Sequence, residues 1–292
     1  MQKIIPNIWC AGTADEAAEL YVDAFPRTSV VDTVTYPTEG LLEFQQALAG
    51  QTLTNELQLD GFHLILVNAG NEFRPTPALN FLLNFEQDGD ALRHAWEVLS
   101  AEGLVMMDLG TYAHSELYGW VEDKFGVSWQ LMVTNPEGDD RPFVNPQLMF
   151  CGAVQNKCEE ATDFYLDVFS DAQPGNRVRY SDMGHIPDNN AEIVYSDFQL
   201  EGQWFTAMDS AVDQAFTFNE GVSLMVHVAD QAELDRLWDA LSADPNAEQC
   251  GWLKDIFGVS WQIVPANLAE LMAKPGAYEK LMGMKKIHID QF

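Results

Sequence analysis

The alternation of hydrophobic and polar residues divides the first 68 residues into strands and one helix. Four segments have the alternation typical of strands: residues 3–10, 29–36, 51–59 and 62–68. Between the first two, apolar side chains recur at helical spacing as far as Pro26. The last two strands are joined by Asp60-Gly61, a dipeptide typical of hairpin turns. The predicted order is therefore βαβββ.

The same order of elements returns along the rest of the chain. A second unit is predicted over residues 79–133, with its helix in residues 91–101, and the chain after residue 143 restates both units. The stretch Gly119 to Gln130 returns 132 residues later as Gly251 to Gln262, and nine of its twelve residues are identical. The chain is thus a tandem repeat of two halves, each with two βαβββ units.

A polar, turn-rich stretch at residues 135–142 separates the halves, and we place a linker there. This division gives one domain in residues 1–135, a second in residues 143–266, and a C-terminal helix and tail in residues 267–292. We expect an α+β fold in which the two units of each half form one curved, cup-like mixed sheet with the helices outside. The halves are expected to pack as an internal pseudo-dimer, and a further homodimer is left open.

Charge narrows the range of partners. The chain has 45 Asp plus Glu against 15 Lys plus Arg, a formal net charge of −30. Such a charge repels nucleic acid and anionic membranes, so neither is an expected partner. The N-terminus lacks the apolar region of a signal peptide and no run of 18 apolar residues occurs, so we expect a cytoplasmic protein. The four cysteines are too few and too scattered to predict a zinc site or a disulfide framework.

Three stretches give the repeat a resemblance to a known family: residues 251–265, residues 207–210 and residues 216–224. Together with the paired βαβββ units, they resemble PhnB-like proteins of the vicinal oxygen chelate superfamily. That superfamily includes glyoxalase I, bleomycin-resistance proteins and extradiol dioxygenases. The PhnB group often bears the label 3-demethylubiquinone-9 3-methyltransferase. The resemblance implies tandem glyoxalase-like domains.

The resemblance also implies where a metal would bind. Enzymes of the superfamily typically hold a divalent ion through His, Gln or Glu on the first and last strands of the paired units. In this chain the resemblance places the ligand positions of the first strands at Pro6 and Pro146, and those of the last strands at Gln130 and Gln262. Proline has no ligating side chain and an amide is an uncharged, weaker ligand. We therefore predict no metal and no other cofactor, with a divalent metal as the alternative.

Superfamily sites lie inside the cups, so the resemblance implies that a small, partly apolar molecule binds there. The alternation of Gln with Trp on the last strands turns Gln toward the cup if Trp packs under the helices. For each candidate the alternative role is structural: a Gln bonded to neighbouring backbone, or a packed Trp or Tyr. The candidate ligand-binding residues are Asn80, Trp120 and Gln130 in the first half, and Tyr195, Ser223, Trp252 and Gln262 in the second. No catalytic residue is assigned.

Three functions remain open at this point. The leading one is a metal-free protein that binds or sequesters a small molecule. The second is a divergent metal-dependent lyase, isomerase or dioxygenase. The third is the methyltransferase of the family label, although no Gly-x-Gly-x-x-Gly follows a predicted strand to hold S-adenosylmethionine in the Rossmann manner.

Overall fold

The computed structural model describes residues 2–135, 137–138 and 140–292. Pro136 and Asp139, which belong to the predicted linker, lie outside the described residues. The first half contains β1 (Ile4–Cys10), α1 (Ala14–Ala24), β2 (Thr28–Thr35), β3 (Thr52–Leu59) and β4 (Phe62–Asn68). It continues with β5 (Leu79–Asn84), α2 (Gly89–Ser100), β6 (Leu104–Tyr112), β7 (Ser115–Glu122) and β8 (Ser128–Met132).

The second half repeats this order. It contains β9 (Val144–Phe150), α3 (Cys158–Val168), β10 (Ala172–Arg179), β11 (Ile193–Leu200) and β12 (Gln203–Asp209). These are followed by β13 (Val222–Val228), α4 (Gln231–Leu241), β14 (Trp252–Lys254) and β15 (Ser260–Pro265), and then by the short helices α5 (Leu268–Met272) and α6 (Ala277–Met282). No helix among the described residues is long and apolar enough to cross a membrane.

The fourth unit, whose residues are all described, is shorter than the predicted βαβββ. It has no strand between α4 and β14. Instead, the backbone N–H groups of Cys250 and Gly251 donate to the carbonyl oxygens of Met284 and Lys285, both at 2.8 Å. The C-terminal tail thus supplies hydrogen bonds where the other units have a strand.

Two mixed sheets of seven and eight strands confirm the predicted α+β class and its tandem glyoxalase-like units. Sheet 1 has the strand order β14-β15-β13-β1-β4-β3-β2, and sheet 2 has the order β10-β11-β12-β9-β5-β8-β7-β6. The halves meet in two antiparallel pairs, β1 with β13 and β5 with β9. We call the faces of sheets 1 and 2 that are turned away from the helices cup 1 and cup 2.

Each sheet contains one unit from each half, which differs from the expectation that the two units of one half share a sheet. Alternation along a strand specifies which face is buried, but it does not specify the neighbouring strand. As a consequence Tyr195 on β11 shares cup 2 with Gln130, whereas the sequence grouped it with Gln262. Cup 1 contains Gln262, Ser223 and Trp252.

The repeated stretch contains an aspartate whose hydrogen bonds join the two sheets. Asp123, 2 % exposed, accepts hydrogen bonds from the N–H groups of Phe125 and Val127 at 2.8 and 3.0 Å. Its second oxygen accepts from Trp129 Nε1 at 2.9 Å and from the hydroxyl of Tyr21 on α1 at 2.8 Å. Because α1 belongs to the first unit and Asp123 to the second, this carboxylate joins the two units of the half.

Asp255 makes the same four bonds in the second half, with Phe257, Val259, Trp261 and Tyr165 as donors at 2.8 to 3.0 Å. Both tryptophans are fully buried against aromatic side chains of the helices. Burial raises the pKa of both carboxyls, and that of Asp255 reaches about 6. Asp123, Asp255, Trp129 and Trp261 are therefore structural.

Polar residues at two strand ends begin the first helix of each half. Asn68 Oδ1 accepts from Ala14 N at 2.9 Å, and Asp209 Oδ1 accepts from Cys158 N at 3.1 Å. Thr13 directly precedes α1, but its side chain makes no capping bond. The side chain of Asn68, brought in from β4, takes that role.

Candidate functional site

The last strands turn glutamine toward the cups, as their alternation predicts. Trp129 and Trp261 pack under the helices, while Gln130 and Gln262 lie on the opposite faces. The first strands differ from the expectation. Pro6 is paired with the core residue Leu224 and Pro146 with the core residue Phe81, so both prolines lie on the helix side. The neighbouring Asn7 and Gln147 face the cups, because a shift of one residue exchanges the faces of a strand.

The centre of cup 2 is a network of neutral side chains. Gln130 Nε2 donates to Asn80 Oδ1 at 2.9 Å and also to Gln147 Oε1. Gln130 Oε1 accepts from the hydroxyl of Tyr118 at 2.7 Å. All four side chains are buried, and burial raises the pKa of Tyr118. The side-chain amides of Asn80, Gln130 and Gln147 are thus hydrogen-bonded to one another.

Next to this network, cup 2 holds a buried ion pair. Asp197, 2 % exposed, accepts from Arg141 at 2.8 Å and from the Tyr195 hydroxyl at 3.1 Å. The guanidinium of Arg141 lies 3.9 Å from the centre of the Trp204 ring. Arg141 belongs to the predicted linker, so the connection between the halves supplies part of the lining of cup 2. The half-buried Trp120 also faces cup 2, and its Nε1 donates to Ser128 Oγ at 2.7 Å.

Cup 1 has a polar centre as buried as that of cup 2, but more exposed apolar side chains lie around it. Gln262 Nε2 donates to Ser223 Oγ at 2.8 Å. Within the described structure, Asn7 Oδ1 and Ser260 Oγ in the same cup are buried and have no hydrogen-bond partner. Around them the strands present the half-exposed apolar side chains of Ile65, Val67 and Met225. Trp252 lies at one side, with its ring 6.0 Å from that of Trp9.

A carboxylate and an imidazole lie on the other side of cup 1. Glu56 Oε1 is 2.5 Å from His63 Nδ1, and both side chains are about one quarter exposed, at 27 % and 29 %. Burial lowers the pKa of the nearby His227, while the charge of Glu56 acts in the opposite direction. His63 is not among the candidate residues predicted from the sequence. The Asp60-Gly61 hairpin could have predicted this pair. Its register places Gln58 opposite His63, and Glu56, two residues before Gln58, lies on the same face of the sheet.

A comparison with known protein families identifies the family to which this chain belongs. The model of the 3-demethylubiquinone-9 3-methyltransferase family matches residues 2–132 and 143–264, once in each half. The chain belongs to this family. No protein of curated function matches it.

Two solved structures illustrate the relationship. A PhnB protein from Bacillus cereus with the same family name is 27 % identical and covers 46 % of this chain and 100 % of its own, with a TM-score of 0.40. Glyoxalase I from Zea mays is 12 % identical and covers 98 % of this chain and 97 % of its own, with a TM-score of 0.57. The maize enzyme shares the tandem fold over nearly the full length of this chain.

The side chains on the central strands fit a divalent metal poorly. At the centre of the cups the residues on the first and last strands of the paired units are uncharged: Asn7, Ile65, Ser223 and Gln262 in cup 1, and Asn80, Gln130, Gln147 and Thr206 in cup 2. Two imidazoles on these strands, those of His63 on β4 and His227 on β13, face cup 1 beside Glu56. Catalytic divalent ions take imidazole and carboxylate ligands. No group of three His, Cys, Asp or Glu placed to hold a metal occurs in the part of the chain that the structure describes. In cup 2 the amide oxygens are moreover engaged with each other.

Proposed function

We propose that the protein binds a small, partly apolar molecule in cup 1, with no metal ion at the superfamily's ligand positions. The observation that carries this proposal is the set of half-exposed apolar side chains that share the face of the sheet with the paired Gln262 and Ser223. Pockets for small molecules are mostly apolar, with a few polar groups that fix the orientation of the ligand. Ile65, Val67 and Met225 supply the apolar part, and the Gln262 amide oxygen is an acceptor.

The orphan polar atoms of cup 1 support a ligand with hydrogen-bond donors. A buried acceptor without a partner costs roughly 1–3 kcal/mol, so Asn7 Oδ1 favours a ligand or water that donates to it. The rings of Trp9 and Trp252 favour a flat apolar body beside that polar group. The expected ligand is therefore a small planar molecule with a donor on one edge.

The test begins with the metal content of tag-free protein, followed by thermal shifts with Mn²⁺, Ni²⁺, Zn²⁺, Fe²⁺ and S-adenosylmethionine, and then with a library of small planar compounds. A ligand that binds only the folded state raises its stability. We expect stabilisation by planar compounds and none by metals. A stoichiometric metal that is lost in Gln262→Ala would contradict the metal-free proposal.

The two cups provide a matched pair of variants for any compound that binds. Gln262→Ala should weaken its binding about tenfold, the effect of losing one hydrogen bond of about 1.4 kcal/mol. Gln130→Ala alters cup 2 alone and should leave the affinity unchanged. The reverse result would assign the ligand to cup 2.

Glu56 and His63 favour a second candidate, a proton-transfer enzyme that uses the same cup. A carboxylate at 2.5 Å from Nδ1 fixes the imidazole, so that Nε2, which lies 3.4 Å from Gln58 Nε2, is the nitrogen that would take or give a proton. In that case the bound compound is converted, and His63→Gln abolishes conversion with little loss of binding. If the compound is recovered unchanged from the wild-type protein, the enzyme hypothesis is contradicted and only the binding function remains.

A further inference from the structure

A cavity of about 270 Å³ lies outside both cups, where the two sheets approach each other. It is bounded by the end of β1, by the segment that joins β4 to β5, and by the turn between β7 and β8. Drug-sized ligands occupy roughly 300–1,000 Å³, so a cavity of this size suits a single-ring compound. The side chains that matter are Trp9, Phe73, Arg74, Lys124 and Phe125.

The walls of this cavity are aromatic and held in place. The rings of Trp9 and Phe73 meet edge to face, with centroids 5.0 Å apart and planes at 87°. Trp9 Nε1 donates to the carbonyl oxygen of Gly70 at 2.7 Å, which fixes the indole. Phe125 forms the opposite side. A flat ring can therefore pack between aromatic surfaces that need no rearrangement.

Two cations reach the same cavity in a protein that has few of them. Arg74 and Lys124 are among only 15 basic residues, and none of the residues that line the cavity, all of them described, is Asp or Glu. Their ion pairs are long, at 3.5 Å from Arg74 to Glu122 and 3.5 Å from Lys124 to Glu102. Lys124 Nζ also lies 5.2 Å from the centre of the Phe125 ring. Positive charge is thus concentrated beside the aromatic walls.

The second half positions Arg74. The Arg74 carbonyl oxygen accepts from Asn219 Nδ2 at 3.0 Å. The backbone of Arg74 packs so closely on Gly221 that a side chain there would collide with it, at 2.3 Å. The Arg74 side chain lies over Gly126, where an added Cβ would come within 2.7 Å of Nε. Both glycines thus leave room for this arginine.

The equivalent place in the second half keeps two of the aromatic residues, Phe216 and Phe257, but has neither cation. Thr217 precedes β13 by the same five residues as Arg74 precedes β5, and Ile256 follows the turn aspartate as Lys124 does. Phe150, the counterpart of Cys10 at the strand end, is fully buried against Phe218 with ring centroids 5.2 Å apart. The two cations are thus present in one half, and uncharged residues replace them in the other.

We propose that this cavity binds a small aromatic carboxylate, with the ring between Trp9, Phe73 and Phe125 and the carboxylate facing Arg74 and Lys124. The guanidinium offers the paired N–H groups that suit a carboxylate. The site shares Trp9 with cup 1, while the other residues that line it are not among those assigned to the cup 1 ligand. It needs no metal and no conformational change.

Benzoate and its uncharged isostere benzamide are the probes, and the indole N–H signal of Trp9 in ¹⁵N-labelled full-length protein is the readout. Trp9→Phe assigns that signal. We expect a saturable shift with benzoate, and affinity for benzamide about tenfold lower, since two partly exposed ion pairs are lost. Benzoate binding should weaken as salt screens the charges.

Three variants make the test specific. R74Q/K124Q should weaken benzoate binding about tenfold. The control R93Q/K274Q has the same net charge and alters exposed residues elsewhere, so it should bind as the wild type does. Gln262→Ala separates this site from cup 1 and should also bind as the wild type does. No saturable shift, equal affinity for benzamide, or no loss in R74Q/K124Q would overturn the proposal.

Discussion

The two cups occupy equivalent positions in the repeat and both have a buried polar centre, yet the side chains around that centre are more exposed in cup 1 than in cup 2. At one matched position cup 1 has Glu56, with a side chain 27 % exposed, and cup 2 has Asp197, 2 % exposed. At another, the half-exposed Met225 of cup 1 corresponds to the buried Leu82 of cup 2. The partner of the carboxylate changes too, from His63 to Arg141.

The turns that close the sheets show no such divergence. Asp123 and Asp255 make the same four hydrogen bonds, with lengths that agree within about 0.1 Å. The repeat therefore keeps the parts that hold the sheets together and varies the parts that line the cups. Structural likeness between the halves does not imply that both bind the same molecule.

The largest expected effect tests the shared part. Asp123→Ala and Asp255→Ala each leave a buried tyrosine hydroxyl, an indole N–H and two backbone N–H groups without an acceptor. We expect each to lower the free energy of unfolding by about 3–5 kcal/mol, and by similar amounts in the two halves. Urea denaturation followed by circular dichroism measures both.

Asp239→Ala is the matched control, because this side chain is 74 % exposed and only 3.6 Å from Lys286. It should change the stability by less than about 0.5 kcal/mol. If one of the two buried aspartates cost no more than the control, the halves would not share the same structural device.

The next effect separates the cups. Gln130→Ala removes the hydrogen-bond partner of Tyr118, Asn80 and Gln147 at once, so we expect a loss of about 2–3 kcal/mol. Gln262→Ala removes one bond, to Ser223, and should cost about 1 kcal/mol. The measurement is again urea denaturation. Equal losses would mean that the closed network of cup 2 adds nothing to stability.

The sequence predicted the parts of the fold that depend on local pattern. Alternation located the strands, and it turned Gln130 and Gln262 away from the core because side chains on a strand alternate between faces. The repeat of Gly119–Gln130 identified the tandem architecture. Each of these signals lies within a short stretch of chain.

Features that depend on long-range partners were missed. No local signal states that β1 pairs with β13 and β5 with β9, so Tyr195 was grouped with the wrong cup. The faces of Pro6 and Pro146 were displaced by one residue, which a register error of one position produces. Arg141 looked like part of a polar linker, and only the folded chain brings it to Asp197.

The smallest expected effect is the pH dependence of the free energy of unfolding that comes from Asp255 in the shared turn. Burial raises the pKa of Asp255 from 3.8 to about 6, so the folded protein holds this proton more tightly than the unfolded chain does. The stability that comes from this difference is full below pH 3.8 and is lost as the pH rises through about 6. Asp60 and Glu159 act in the opposite direction, because pairing with arginine lowers the pKa of both.

Asp255→Asn isolates the contribution of this one group, since asparagine does not titrate and the other carboxyls stay in place. The free energy of unfolding of the wild type minus that of the variant should fall by about 1 kcal/mol between pH 5 and pH 7. Urea denaturation of both proteins at four pH values in that range measures the difference. A difference that stays constant would mean that Asp255 does not titrate in this range, so that its four donors outweigh its burial.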